Sequence, residues 1–598
     1  MMGHAARHEA AAAGEVSRTP RANRDLAQKL AEFDTLAGGL DYAARGVTGF
    51  NFYSGRGNLE HVLSYAELRK LALATARKLL SLGLKRGDRV AVIAETGPDF
   101  MAVFFACQYA GLVPCPLPYT MYIGGKEAYI ERVAGMLKAA QACAVIASDD
   151  LAAYIGEAAS AAGVTKVFTH AGLQAQPESA VKLEPFRADE FAYIQYSSGS
   201  TSDPKGVLIS QKAIVANTRG ILRDGLRVKP GDRAFSWLPL YHDMGLVGFC
   251  LAPMMGQVTV DYLATTAFAR RPALWLKLMS ENRSTICYSP SFGYDLAARR
   301  VNGDAVRLDL KGWRAAGIGG DMVRADVLER FAAALAPSGF SARSFIPSYG
   351  MAETTLAVSF TDVEKPIRID TIERNAYKNE RLAVPAKAGE AANKARSFVV
   401  CGKPLPGHEV AIRDDDGQTL GERRIGHVFV RGPSLMAGYY HNDAATDAVM
   451  GGDGWLDTGD MGYWLDGEIV ITGRAKDLIL HNGRNIWPQD IEWAAEQIEP
   501  LRSGDVAAFA VEGEDGDDDV VVLVHCRLAD AAEMEELRRK VAGVVHQSAG
   551  VECKVVLVPP KSLPFTSSGK LSRAGAKQKY LSGEIAEMAP GTFLEAAQ

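Results

Sequence analysis

Apolar residues recur at helical spacing through SYAELRKLALATARKLLSLG, residues 64–83, where Ser64 and Glu67 form a Ser-x-x-Glu capping box and Gly83 supplies a stop. An amphipathic helix is predicted there. It leads into RVAVIAE (Arg89 to Glu95), a short apolar run of strand type, then PDFMAVFFACQYAG and VPCPLP, which predict a helix and a second strand. CAVIAS from Cys143, TKVFTH from Thr165 and STICYS from Ser284 continue the alternation, which is the rhythm of a parallel sheet covered by helices. The N-terminal body is therefore expected to be α/β. Beyond about Gly402 the runs shorten to HEVAIRDDDGQTL and IGHVFVRGP, separated by Asp/Gly turns, which predicts a small antiparallel β subdomain. After GRAKDLI (Gly473 to Ile479) comes a compact α+β unit. It has a helix near Pro488 to Gln497, strands VAAFAVE and DVVVLVHCRLA, a helix around Glu533 to Ala549, and KVVLVP. The acidic run EGEDGDDD, Glu512 to Asp519, falls between two of those strands and lacks spaced ligands, so it reads as a solvated turn and not a metal loop.

Composition narrows the partners. The 598 residues carry a net charge of −5 spread along the chain, which offers no basic stripe for nucleic acid and no polybasic membrane anchor. FMAVFFACQYAGLVPCPLPY from Phe100 is the most membrane-like run, yet Gln108, Gly111 and two prolines interrupt it, so no stable membrane insertion is expected. The first 25 or so residues are Ala- and Arg-rich without an apolar core, which predicts a disordered start and no secretory signal. Eight widely spaced cysteines without a CxxC pair suit reduced, buried thiols and a cytoplasmic location.

The candidate chemistry opens at Tyr193 to Ser210, YIQYSSGSTSDPKGVLIS. An alternating strand ends abruptly in Ser197, Ser198, Gly199, Ser200 and Thr201. Gly199 lets the backbone turn its N–H groups on an anion, the hydroxyls donate further, and Lys205 adds charge. A polyphosphate suits such a loop, although GxxxxGK[ST] is not matched, because Gly206 and Val207 follow Lys205. In SWLPLYHDMGL, His242 and Asp243 sit among apolar residues, as a core histidine or as a gate for a carboxylate. PSYGMAETT places Tyr349 and Glu353 around Gly350 at a predicted strand-to-helix junction, where Glu353 is either a helix cap or a magnesium ligand. GWLDTGDMGYW is a hairpin turn or a ribose site built on Asp460, and LPFTSSGKLSR offers Lys570 on a small-residue loop.

In order and spacing these five segments resemble the adenylate-forming superfamily, over about residues 30 to 580. The resemblance implies that a carboxylate attacks the α-phosphate of ATP, releasing pyrophosphate and leaving an acyl-adenylate. It assigns Ser197 to Lys205 to the β- and γ-phosphates, Thr201 and Glu353 to Mg2+, Tyr349 with Gly350 to adenine, and Asp460 with Arg474 to ribose. Lys570 then bridges the carboxylate and the α-phosphate, and His242 lines the route to the acyl pocket. Gly320 and Asp321 occupy the adenine-facing turn, where relatives often carry Gly-Ala-Glu or Gly-Ala-Pro. The implied hinge of a mobile C-terminal domain is Asp477.

Within the superfamily, YIQYSSGST, SWLPLYHDMGLVG, SYGMAETTLAVS and HNGRNIWPQDIE resemble fatty-acyl-AMP ligases. So does the long charged stretch after Glu353, like the insertion that in those ligases packs near the hinge and accompanies poor use of free coenzyme A. CYSPSFGYDLAARR resembles their acyl wall, with Trp237, Phe292 and Tyr294 near the chain. The expected organisation is a disordered segment 1–25, an adenylation body 26–474 with an insertion at about 365–400, a mobile domain 475–583 and a tail 584–598. The body is expected to hold two α/β sheets flanked by helices plus the β subdomain. The expected activity is formation of a fatty acyl-adenylate and transfer to the phosphopantetheine thiol of an acyl carrier protein. The alternatives are a fatty acyl-CoA synthetase using free coenzyme A and a non-catalytic nucleotide-binding module.

Overall fold

The computed structural model describes residues 23, 25–119, 125–196, 204–301, 308–387, 389–390, 394–481, 484–512, 518–566 and 571–589. The Ser64 hydroxyl accepts the Glu67 N–H at 3.1 Å and starts the helix Tyr65–Ser81, whose Leu68, Ala72, Ala76 and Leu79 are buried. Their face meets the helix Pro98–Ala110, in which every residue from Phe100 onward is buried and which Gly111 ends in the left-handed region at φ 67°. A helix apolar on all sides belongs between layers and explains the membrane-like run at Phe100.

Among the described residues two helix-covered sheets build the body. One is parallel, in the order Val113–Leu117, Arg89–Ile93, Ala144–Ala147, Val167–Thr169. The other has nine strands, with a parallel centre that includes Arg233–Ser236, Ile286–Ser289, Ala315–Ile318 and Phe345–Gly350, and with antiparallel edges. A separate three-stranded sheet pairs Phe191–Tyr196 with Gly206–Ser210 and adds Gly438–Tyr439. The β subdomain is antiparallel, in the order Glu409–Arg413, Gly426–Arg431, Leu456–Leu465, Glu468–Arg474.

The C-terminal unit is a three-stranded sheet of Val506–Glu512, Asp518–His525 and Lys554–Val558. Its middle strand alternates faces: Val520, Val522 and Val524 share a core with Leu537 and Val541, while Val521 and Leu523 pack with Val556 and Ala576. Both faces are thus covered. The single 3₁₀ turn Ala475–Asp477 joins this unit to the body.

The stretch after Glu353 has its own structure. A hairpin of Ile369–Glu373 and Ala395–Val399 carries the helix Arg374–Glu380, and Tyr377 and Phe398 pack with Trp487 beyond the Ala475–Asp477 turn. Arg374 and Arg396 each approach the Asp490 carboxylate at 2.9 Å, and Lys378 donates to the Ala549 carbonyl at 3.2 Å. That carbonyl lies at the C-terminus of the helix Ala531–Ala549, where a cation is favoured. The eight cysteines are all unpaired, and six of them are buried. Among the described residues no helix is long and apolar enough to cross a membrane.

Candidate active site

A cavity of about 830 Å³ lies between the body and the C-terminal unit and takes walls from both. Its polar end is built from hairpins. Phe191–Tyr196 and Gly206–Ser210 bracket the serine-rich segment, of which Ser197, Ser198, Gly199, Ser200 and Thr201 lie outside the described residues. Gly206 is needed for close approach, since a Cβ there meets the Ile194 side chain at 2.8 Å. Lys205 lines the cavity with its Nζ 4.9 Å from the centre of the Tyr439 ring.

The Tyr439 hydroxyl in turn donates to Glu353 Oε1 at 2.9 Å. Burial raises the proton affinity of the Glu353 carboxyl and the Tyr439 hydrogen bond opposes that rise. Two residues singled out in the sequence are therefore joined through a third that no motif contained. A buried carboxylate facing a polar cavity is a donor of the type Mg2+ takes beside substrate phosphates, and Glu353 fits that use. No cluster of three or more His, Cys, Asp or Glu that could hold a metal ion exists among the described residues. One expectation is corrected here. PSYGMAETT is not a strand-to-helix junction, because Phe345–Gly350 turns through the three-residue 3₁₀ segment Ala352–Thr354 into the antiparallel strand Ala357–Phe360. Glu353 caps no α-helix. Gly350 has no room for a side chain, as a Cβ falls 1.8 Å from the Leu356 carbonyl oxygen.

Opposite, Asp460 and Arg474 are register partners on adjacent strands. Asp460 Oδ2 accepts the Tyr349 hydroxyl at 2.7 Å, and Oδ1 lies 3.2 Å from Arg474 Nε. The Asp460 charge raises the pKa of Arg474, and the pair presents a fixed carboxylate to the cavity. Gly320, at φ 81°, turns the chain so that Asp321 accepts the Ser291 N–H at 3.1 Å, at the start of the helix Ser291–Arg300. His242 lines the cavity with Nδ1 2.7 Å from Asp243 Oδ1. Lys476 also faces the cavity, and burial, then the neighbouring Arg474 charge, lowers its pKa. It was present in GRAKDLI, but no pattern marked it.

Asp477 Oδ2 accepts Arg573 at 2.8 Å, and Arg573 also grips both oxygens of Glu492 at 2.8 and 2.7 Å. Lys570 lies outside the described residues, while Phe565, Thr566 and Leu571 to Ala574 on either side of that segment line the cavity. A further contact between the two units is Arg324, 2.9 Å from Glu496 and 5.1 Å from the Trp493 ring centre.

Two of the three residues expected at an acyl wall lie away from the cavity. Trp237 stacks on Phe268 at 3.7 Å and is 2% exposed, while the Tyr294 hydroxyl donates to the Gly317 carbonyl within a core that includes Phe331 and Trp275. Neither lines the cavity. On the helix Ser291–Arg300, Phe292, Asp295 and Leu296 share the cavity face, and Tyr294 points into the core behind it. The apolar end of the cavity is instead formed by Ile221, Leu226, Phe249, Tyr288, Leu356 and Phe360.

One cavity thus sets a fixed carboxylate and several cations at a polar end against an apolar end, under a domain joined by a single turn. An activated intermediate with a charged half and a greasy half is served by that geometry, and the chain is an adenylate-forming ligase. It belongs to the AMP-binding enzyme family, whose model matches residues 50–440. A Caulobacter vibrioides protein bearing a provisional acyl-CoA synthetase name is 50% identical, over 94% of this chain and 98% of its own. The medium-chain-fatty-acid–[acyl-carrier-protein] ligase JamA of Moorena producens is 32% identical, over 93% of this chain and 96% of its own. A solved structure from work on fatty acyl-adenylate ligases of E. coli and L. pneumophila is 44% identical, covers 93% of this chain and 100% of that chain, and superposes with a TM-score of 0.89.

Proposed function

We propose that this protein joins a fatty acid to AMP and passes the acyl group to the phosphopantetheine thiol of an acyl carrier protein. In this reading Lys205 and the hydroxyls of Ser197 to Thr201 hold the β- and γ-phosphates of ATP. Glu353 and Thr201 hold Mg2+, which supplies charge neutralisation on the triphosphate. Tyr349 and Gly350 face adenine beside Gly320 and Asp321, and Asp460 with Arg474 takes the ribose hydroxyls. His242 stands between the nucleotide and acyl ends. Lys570 neutralises the charge that gathers between the carboxylate and the α-phosphate as pyrophosphate leaves.

The observation that supports a carrier over free coenzyme A is the insertion. Its arginines enclose Asp490 of the C-terminal unit in a buried cluster, with Asp490 and Arg396 each 4% exposed. A restrained C-terminal domain disfavours the reorientation that a freely diffusing thiol needs, whereas a carrier protein brings binding surface of its own. The second reading, an acyl-CoA synthetase, is favoured by the name of the Caulobacter relative. Incubation with ATP, a fatty acid and either coenzyme A or holo carrier protein separates the two. Acyl-carrier formation with little acyl-CoA is the expected result, and efficient acyl-CoA formation refutes it. Failure to release pyrophosphate with any fatty acid refutes the enzymatic reading altogether.

A further inference from the structure

Two wide helical turns flank the apolar end of the cavity. Gly220–Gly225 and Leu246–Leu251 are both π-helical, and such turns displace side chains from the regular helical face. The first carries Ile221 to the cavity wall just ahead of Leu226, and the second carries Phe249. Between them runs an aromatic row, in which the Tyr288 ring centre lies 6.3 Å from Phe249 and 6.4 Å from Phe360.

Two rings of this row rest on glycines. A Cβ on Gly317 falls 2.0 Å from the Tyr288 ring, so that ring lies flat on bare backbone and is fixed. A Cβ on Gly225 falls 2.8 to 3.0 Å from three carbons of the Phe360 ring. This second contact is gentler, and Gly225 is not among the positive-φ glycines, so its backbone accepts a side chain. An alanine at 225 therefore presses first on the Phe360 ring, whose three carbons are its nearest neighbours, and the open space available to that ring is the cavity it lines.

We infer that Phe360, seated on Gly225, is the stop of the acyl-binding end and that this pair sets the length of straight-chain fatty acid the protein accepts. The inference rests on the acyl-adenylate reading above. Removing the ring deepens the cavity, and adding a methyl group behind it pushes the ring inward, so two substitutions at one contact move the preference in opposite directions. In an apolar pocket each methylene that fits or fails to fit is worth roughly 10-fold or more in kcat/KM.

The test is pyrophosphate release with saturated straight-chain acids of graded length, for the full chain and for the variants Phe360→Ala and Gly225→Ala. The expected result is a preferred length that rises by about two methylenes or more in Phe360→Ala and falls in Gly225→Ala, each step changing kcat/KM roughly 10-fold. If Gly225→Ala does not fold, Phe360→Trp provides the filled pocket and the same downward shift. An active wild type whose length profile is unchanged in the folded variants overturns the stop at Phe360. A wild type inactive with every acid overturns the acyl-adenylate reading beneath it.

Discussion

Asp490→Ala is the most direct probe of how the insertion governs the C-terminal unit. Asp490 stands in the first turn of the helix Pro488–Ala495 and meets Arg374 on one oxygen and Arg396 on the other, both at 2.9 Å. Arg396 is further enclosed by the rings of Tyr377 and Phe398, at 5.1 and 4.6 Å, so it has little water to turn to. Removing one member of a buried ion cluster costs about 3–5 kcal/mol, because the charge left behind is uncompensated. In a released posture both arginines regain water and the penalty disappears. The equilibrium between docked and released postures is therefore expected to move toward release by up to about 10²–10³-fold, at 1.4 kcal/mol per decade. The assay compares two half-reactions in the same preparation: pyrophosphate release from ATP and fatty acid, and transfer from preformed acyl-adenylate to free coenzyme A. Adenylate formation should fall and transfer to coenzyme A should rise, while the body's thermal unfolding stays near wild type. A folded variant with both rates unchanged refutes the idea that this cluster holds the domain.

Lys570→Ala should lose about 10²–10³-fold in adenylate formation, the usual effect of deleting one charge-stabilising donor, yet still bind ATP and transfer acyl groups from supplied acyl-adenylate. Normal adenylation by this variant would remove the lysine from the reaction. Tyr349→Phe deletes the hydroxyl that fixes Asp460, and a hydrogen bond to a charged group is worth about 1.5–3 kcal/mol. The KM for ATP should rise roughly 10-fold or more with kcat less affected, and an unchanged KM counts against the ribose role of Asp460. In the C-terminal unit burial works to raise the pKa of Asp505, but hydrogen bonds from Arg527 and His525 prevail and hold it at about 2, below its ordinary 3.8. A carboxyl lowered on folding stabilises at pH above its unfolded value, and that stabilisation fades as pH falls through the folded value. Asp505→Asn should therefore cost about 2.5 kcal/mol in urea unfolding at pH 7, with the difference from wild type shrinking between pH 4 and pH 2.

What could be read from the chain depended on how far apart in sequence the cooperating groups lie. The helix Tyr65–Ser81 follows from Ser64 and Glu67, three residues apart, and the parallel strands follow from short apolar runs bounded by turns. The Asp460–Arg474 pair was accessible because each residue sits in its own recognisable motif. Tyr439 was not, since its contact with Glu353 spans 86 positions and its own segment, AGYYHND, carries no signature. The apolar end of the cavity escaped the sequence for a similar reason. Its wall is assembled from Ile221, Phe249, Tyr288 and Phe360, which lie far apart in the sequence, whereas Tyr294 came from the likeness of CYSPSFGYDLAARR to the ligases' acyl wall. The helical spacing of Phe292, Asp295 and Leu296 already separated their face from Tyr294, and was the available clue. PSYGMAETT misled because a glycine followed by Met-Ala-Glu-Thr reads as a helix start. Thr355 at φ 70° turns the chain back after three residues.

The cysteines bear on the fate of the product. An acyl-adenylate is a mixed anhydride that thiolates attack readily, and Cys401 lines the same cavity. Burial pushes its thiol up to about 12, and the Cys107, Cys115, Cys250 and Cys287 thiols are raised by burial as well. The reactive species is the thiolate, so near neutral pH only about one Cys401 in 10⁴ or fewer is competent to react. A thiol held in its protonated form is a poor nucleophile toward such an anhydride. Self-acylation at Cys401 is suppressed by the same packing that forms the pocket wall.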